Sequence, residues 1–174
     1  MATSVARRQD TVNDDEGDPG RSRTPAGDAF SAFAIGVIRL SARLEAAGDV
    51  LARPAGQSSA RWLVMAAVED APATVAQVAR VLGLARQSVQ RVADLLERDG
   101  LAAYDDNPGH RRARLLRLTS HGVDVLASIQ AAQRQWANEL GARIGERDLR
   151  RAAAIVERAR STLGGPSGSP RSKP

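Results

Sequence analysis

Residues 74–101 read T-V-A-Q-V-A-R-V-L-G-L-A-R-Q-S-V-Q-R-V-A-D-L-L-E-R-D-G-L, and residues 102–122 continue A-A-Y-D-D-N-P-G-H-R-R-A-R-L-L-R-L-T-S-H-G. Thr74 and Gln77 have capping-box spacing: the hydroxyl serves a free helix N–H and the amide reaches back. Val75, Val78, Ala79 and Leu82 then fall on one helical face. Gly83 stops that helix, because a residue without a side chain passes through the left-handed turn at no steric cost. A second helix is predicted from about Arg86 to Asp99, with Val89, Val92, Leu95 and Leu96 inward and Gly100 at its end. Two short strands follow, Leu101–Tyr104 and Arg114–Leu118, around the turn Asp106-Asn107-Pro108-Gly109. A helix, a tight glycine turn, a helix with one polar face and a basic ribbon make a winged helix-turn-helix.

Working outward, Asp28 is a candidate N-cap for a first helix on which Phe30, Phe33, Val37, Leu40 and Leu44 form one apolar stripe. Arg53-Pro54-Ala55-Gly56 breaks the chain, and Ser58 or Ser59 can cap a helix through Trp62, Leu63, Met65, Ala66 and Val68. Asp70-Ala71-Pro72 ends it. On the far side of the ribbon, Thr119 caps a long helix carrying Leu126, Ile129, Trp136 and Leu140. A last helix, opened by Asp148 or a neighbour, carries Leu149, Ala152, Val156, Ala159 and Leu163. The fold class is therefore mainly α: a winged helix-turn-helix over 58–118, with helices over 28–57 and 119–163 that hold a dimer. Their apolar stripes exceed what one small core would cover. Residues 1–27 and 164–174 are polar, lack any period and cannot bury enough apolar surface to offset their ordering entropy, so both read as disordered tails.

Length and composition agree with this reading. The 174 residues suit one globular domain. Only 3% are aromatic, which leaves the core to Leu, Val, Ile and Ala. The formal charge is +5, and Lys173 is the only lysine. Arginine enrichment of this kind accompanies GC-rich coding, and it also suits phosphate and base recognition by a bidentate guanidinium. With no cysteine, disulfides, thiol switches and Cys-ligated zinc are excluded. No apolar run approaches the roughly 20 residues of a membrane span, and no signal core opens the chain, so a cytoplasmic location is expected. No cofactor is indicated.

Placement of the polar residues points to double-stranded DNA. Arg86, Gln87, Ser88, Gln90 and Arg91 cluster toward the N-terminal end of the second helix of the motif, and Arg and Gln are the side chains that read guanine and adenine edges. Thr74 belongs to the same candidate surface. Arg111, Arg112 and Arg114, with His110, sit on the ribbon, where arginines can enter a narrowed minor groove. Residues 74–118 hold eight Arg against five Asp plus Glu, an excess of +3, so binding should be salt-sensitive but of ordinary strength. Trp62, Met65 and Trp136 are candidates to line a ligand pocket; equally, they are ordinary apolar residues of helix faces.

The chain resembles the MarR (multiple antibiotic resistance regulator) family of bacterial transcriptional regulators over about residues 28–163. The resemblance lies in Q-V-A-R-V-L-G-L from Gln77, S-V-Q-R-V-A-D-L-L-E-R-D-G-L from Ser88 and H-R-R-A-R-L-L-R-L-T-S-H-G from His110. It implies a homodimer with intertwined terminal helices and an inverted-repeat operator. It also implies a pocket between the dimer and DNA-binding parts that takes small, often phenolic or aromatic, ligands, and a repressor released by such a ligand is the expected function. By position, Arg112 resembles the family's minor-groove arginine. Two residues depart from the family's habit: Ala85 stands where a Ser or Thr often caps the recognition helix, and His110 stands where the wing often has Asp, removing a carboxylate partner for Arg112. An enzyme is disfavoured, since His110 and His121 are the only imidazoles and neither has catalytic company. A winged-helix protein-interaction module that reads no DNA is the alternative function.

Overall fold

The computed structural model describes residues 23–109 and 112–164. The predicted tails lie outside these residues except for 23–27 and Gly164, and so do His110 and Arg111 of the wing. The elements run α1 (Pro25–Ala52), a 3-10 turn (Arg53–Ala55), α2 (Ser59–Ala66), β1 (Ala73–Thr74), α3 (Val75–Leu82), α4 (Arg86–Arg98), β2 (Ala102–Asp105), β3 (Leu115–Leu118), α5 (Ser120–Ile144) and α6 (Glu146–Gly164). The mainly helical class with a small sheet is as the sequence predicted. The chain divides into two compact units between Arg43 and Leu44, within α1.

In the first unit, α1 begins three residues before the expected cap. The Thr24 hydroxyl accepts from Gly27 N at 3.1 Å, while Asp28 lies inside the first turn. Thr24-Pro25 supplies both a capping oxygen and a proline at the first helical position, where its missing N–H costs nothing. Phe30 and Phe33 meet with ring centroids 6.4 Å apart. Phe30, Ile35, Ile38 and Leu40 are nonetheless about half exposed or more.

The second unit is built around Val64 and Met65 of α2, Val78 of α3, Val89, Ala93 and Leu96 of α4, Leu116 of β3, and Leu126 and Ile129 of α5, all buried. On α4 the inward positions are 89, 93 and 96. Leu95, expected in the core, is 37% exposed because it falls to one side of that seam. The sheet has three strands rather than the two expected, in the order β1-β3-β2, all antiparallel. Ala73 pairs with Leu116 and Thr74 with Leu115. Two residues carry no period, so β1 was hidden inside what read as the approach to α3. β2 and β3 lie within a residue of expectation.

Two junctions in this unit are made by close backbone approach. At the end of α1, Gly48 is buried, and a Cβ there would lie 2.6 Å from the Ser59 hydroxyl oxygen; Ser59 N donates to the Asp49 carboxylate at 2.7 Å. At the start of α5, Thr119 N donates to Leu101 O at 3.1 Å and its hydroxyl donates to Gly100 O at 2.7 Å. The same hydroxyl caps α5 by accepting from Gly122 N at 3.1 Å. A Cβ on Gly122 would overlap the Leu101 carbonyl oxygen. α6 opens at Glu146, with Asp148 also in its first turn, and has no buried residue; Leu149, Ile155, Val156 and Leu163 are 38–52% exposed.

Candidate nucleic-acid interface

The motif of α3, its glycine turn and α4 is set by local chemistry. Thr74 N donates to Gln77 Oε1 at 2.8 Å, and Gln77 N donates to Thr74 Oγ1 at 3.2 Å, completing the capping box. The Thr74 hydroxyl also donates to Gln77 Oε1 at 2.9 Å. Gly83 has φ 67°, in the left-handed region, and Leu84 N donates back to Ala79 O at 2.9 Å, closing α3 as the turn demands. Ala85 caps α4 with no side-chain hydrogen bond, as its methyl requires.

Arg86, Gln87 and Arg91 project from α4 as exposed side chains, whereas Ser88 and Gln90 are half-buried. Among the described residues none of Arg86, Arg91 or Arg112 takes part in an ion pair, which leaves three guanidinium groups with their charge uncompensated. Gln90 is committed within the protein. Its Nε2 donates to Asp94 Oδ1 at 2.7 Å and to Tyr104 Oη at 2.9 Å, and Tyr104 Oη donates to the same Asp94 oxygen at 3.1 Å. Burial, then the nearby Asp94 charge, pushes the Tyr104 phenol up to about 12, so it stays protonated.

The wing is held from both ends. At its tip Asn107 accepts from Gly109 N at 3.0 Å and donates to Ala113 O at 2.8 Å, linking the two sides of the loop. At its base Arg117 pairs with Asp105 across β2 and β3 at 2.7 Å, so one of the two wing carboxylates is neutralised. Arg114 donates to Tyr104 O at 2.6 Å, and its guanidinium carbon lies 5.1 Å from the Tyr104 ring centroid. Such stacking on an aromatic face steadies the cation without hiding it.

These elements enclose two adjoining grooves between the wing and α3–α4, of about 300 and 650 Å³. Thr74, Arg86 and Arg112 line both; Gln90 and Arg114 line the smaller. Five of the nine expected DNA-facing residues thus line these grooves, Thr74, Arg86, Gln90, Arg112 and Arg114, and Arg91 is exposed on α4. Gln87 is exposed on the same helix, Ser88 is half-buried there, and Arg111 lies outside the described residues. Behind α4, Arg61 of α2 binds Asp99 at 2.7 Å, and this hydrogen bond, helped by Arg98, holds the Asp99 carboxyl below the usual carboxylate range. The ligand-pocket candidates fall elsewhere: Met65 is fully buried in the core, Trp62 packs against it half-buried, and Trp136 is half-buried on α5.

Sequence reasoning missed Tyr104, Asp94 and Asn107 as organisers. The i, i+4 spacing of Gln90 and Asp94 was a visible signal. The reach from Tyr104 to them depends on a strand packing beside a helix, which no local pattern records. Among the described residues no group of His, Asp and Glu is placed to hold a metal, and no helix is long and apolar enough to cross a membrane.

A recognition helix beside a basic three-stranded wing defines the class of winged helix-turn-helix transcription regulators. The sequence model of the MarR family matches residues 56–113. An uncharacterised protein of Mycobacterium tuberculosis is 42% identical over 102 residues, spanning 59% of this chain and 71% of that protein. The chain belongs to the MarR family. Two solved structures share the fold. The M. tuberculosis transcriptional regulator MosR in complex with DNA matches with TM-score 0.64 and 22% identity, over 76% of this chain and 98% of that one. The PcaV regulator of Streptomyces coelicolor in complex with its natural ligand matches with TM-score 0.60 and 23% identity, over 71% and 91%.

Proposed function

We propose that the protein is a homodimeric, sequence-specific DNA-binding regulator of the cytoplasm that acts as a repressor by occupying an inverted-repeat operator. The observation that carries this reading is that Arg86 and Arg112, without ion-pair partners among the described residues, line the same concave surface between α4 and the wing, with Arg91 exposed on the same helix. Cations without ion-pair partners among the described residues are available to phosphates and guanine edges, and a helix flanked by a basic ribbon fits a major groove with its adjoining minor groove. That MosR was solved with DNA supports the same mode. Release by a small aromatic ligand is part of the proposal and is supported by the ligand-bound PcaV structure.

The test is an electrophoretic shift at low salt, using the duplex upstream of the protein's own gene against a scrambled duplex of equal length. The upstream duplex should shift at lower protein concentration. No shift with either would favour a winged-helix module that binds protein instead of DNA.

A further inference from the structure

We propose that Tyr104 and Asp94 fix the hydrogen-bonding polarity of Gln90, turning it into a base reader that only accepts. The inference rests on the DNA-reading function above and deepens it to a specificity rule. A free glutamine pairs with adenine in two ways at once, accepting from N6 and donating to N7. Gln90 lacks that freedom. A carboxylate can only accept, so the side of the amide turned to Asp94 must be its NH2 group, and this assigns the two amide ends on chemical grounds. Both Nε2 protons are then spent, one on Asp94 Oδ1 at 2.7 Å and one on Tyr104 Oη at 2.9 Å. The phenol completes the ring by donating to Asp94 at 3.1 Å.

What remains of Gln90 is its carbonyl oxygen, which receives no hydrogen bond among the described residues and is not a buried orphan. Gln90 lies one helical turn from Arg86 and lines the groove that Arg86 and Arg112 share. In the major groove, exocyclic amines are offered by adenine N6 and cytosine N4, whereas guanine and thymine present acceptor oxygens there. An acceptor held in place favours A or C and repels G or T. Tyr104 is a positioning residue in this scheme: it touches no base and acts through Gln90. Its ring and backbone carbonyl also hold Arg114, so one residue contacts both the helix and the wing.

The experiment is selection from a pool of duplexes with a randomised core, using the full chain and the variants Gln90→Ala, Tyr104→Phe and Asp94→Ala. The base pair read by Gln90 is the one whose preference collapses in Gln90→Ala. At that position the wild type should enrich A or C over G or T by roughly fivefold or more, the worth of one made against one thwarted hydrogen bond. Tyr104→Phe frees one amide proton and should reduce this preference to about twofold or less. It removes no charge, so the salt dependence of binding should not change. Asp94→Ala, at an exposed helical site, should relax the same position and guards against a folding defect in the tyrosine variant. Equal enrichment of A and G, or of C and T, at that base pair, no position responding to Gln90→Ala, or an unchanged preference in both other variants would overturn the proposal. If the wild type enriches no motif at all, the DNA-reading function falls with it.

Discussion

Two arginines in the groove region have different expected jobs, and a side-chain truncation separates them. Arg91 is exposed on α4, where a bidentate guanine contact is worth about 1–3 kcal/mol. Arg91→Ala should lose that much on the operator and much less on random DNA, as read by competition binding. Arg112 sits on the wing with no ion-pair partner among the described residues. Arg112→Ala should weaken both duplexes alike and flatten the log–log salt slope by about 1, as measured by salt titration. Tyr104 offers an independent check of the ring it closes. It is the only tyrosine in the chain, so phenolate absorbance reports it alone. In the folded protein the titration should centre near 12 instead of near 10. Its folded value is raised, so the stability it lends is complete below pH 10 and disappears as pH climbs toward 12. A midpoint at the ordinary tyrosine value would show that the phenol is solvated and the ring open.

At the scale of elements, α3 depends on its capping box more than on its length. Eight residues are too few for a helix to persist by propensity. Thr74→Ala removes the oxygen that receives Gln77 N and should cost about 1 kcal/mol in a chemical melt. Thr74→Ser should restore most of it. The same scale shows what a sequence discloses. The capping box at Thr74, the cap at Thr119, the left-handed Gly83 and the Asn107-Pro108-Gly109 turn are written in residues within four positions of one another, and each was readable. β1 was not, because its only warrant is Leu115 and Leu116 some 40 residues away. The start of α1 was misplaced for a subtler reason: Asp28 and Thr24 are both competent caps, and Pro25 decides between them. At the candidate site the residue types were legible, but Gln90's commitment to Tyr104 depends on tertiary contact and escaped notice.

For the whole molecule, the first and last helices pose the same demand from separate units. Phe30, Ile38 and Leu40 on α1, and Leu149, Ile155, Val156 and Leu163 on α6, keep 38–68% of their surface exposed. Apolar stripes left open on long helices are what an obligate partner covers. Light scattering on the full chain at micromolar concentration should therefore give twice the 18.4 kDa subunit mass. Replacing Val156 and Leu163 by Glu should shift the species toward a monomer, with operator affinity falling in step. A stable wild-type monomer would remove the two-fold symmetry on which the inverted-repeat operator is argued.

The Leu101 carbonyl gives these scales a common axle. Thr119 N binds it, Gly122 presses against it, and the Thr119 hydroxyl grips Gly100 beside it, where α4 has just ended. The end of the reading helix and the start of α5 are thus tied directly by hydrogen bonds, although the wing lies between them in sequence. The long helix is accordingly placed to act as a lever arm: we predict that a tilt of α5 turns the reading head with it. In the proposed dimer, the angle between the two α5 helices would act as a gauge, calibrating which separation of half-sites both heads can meet at once.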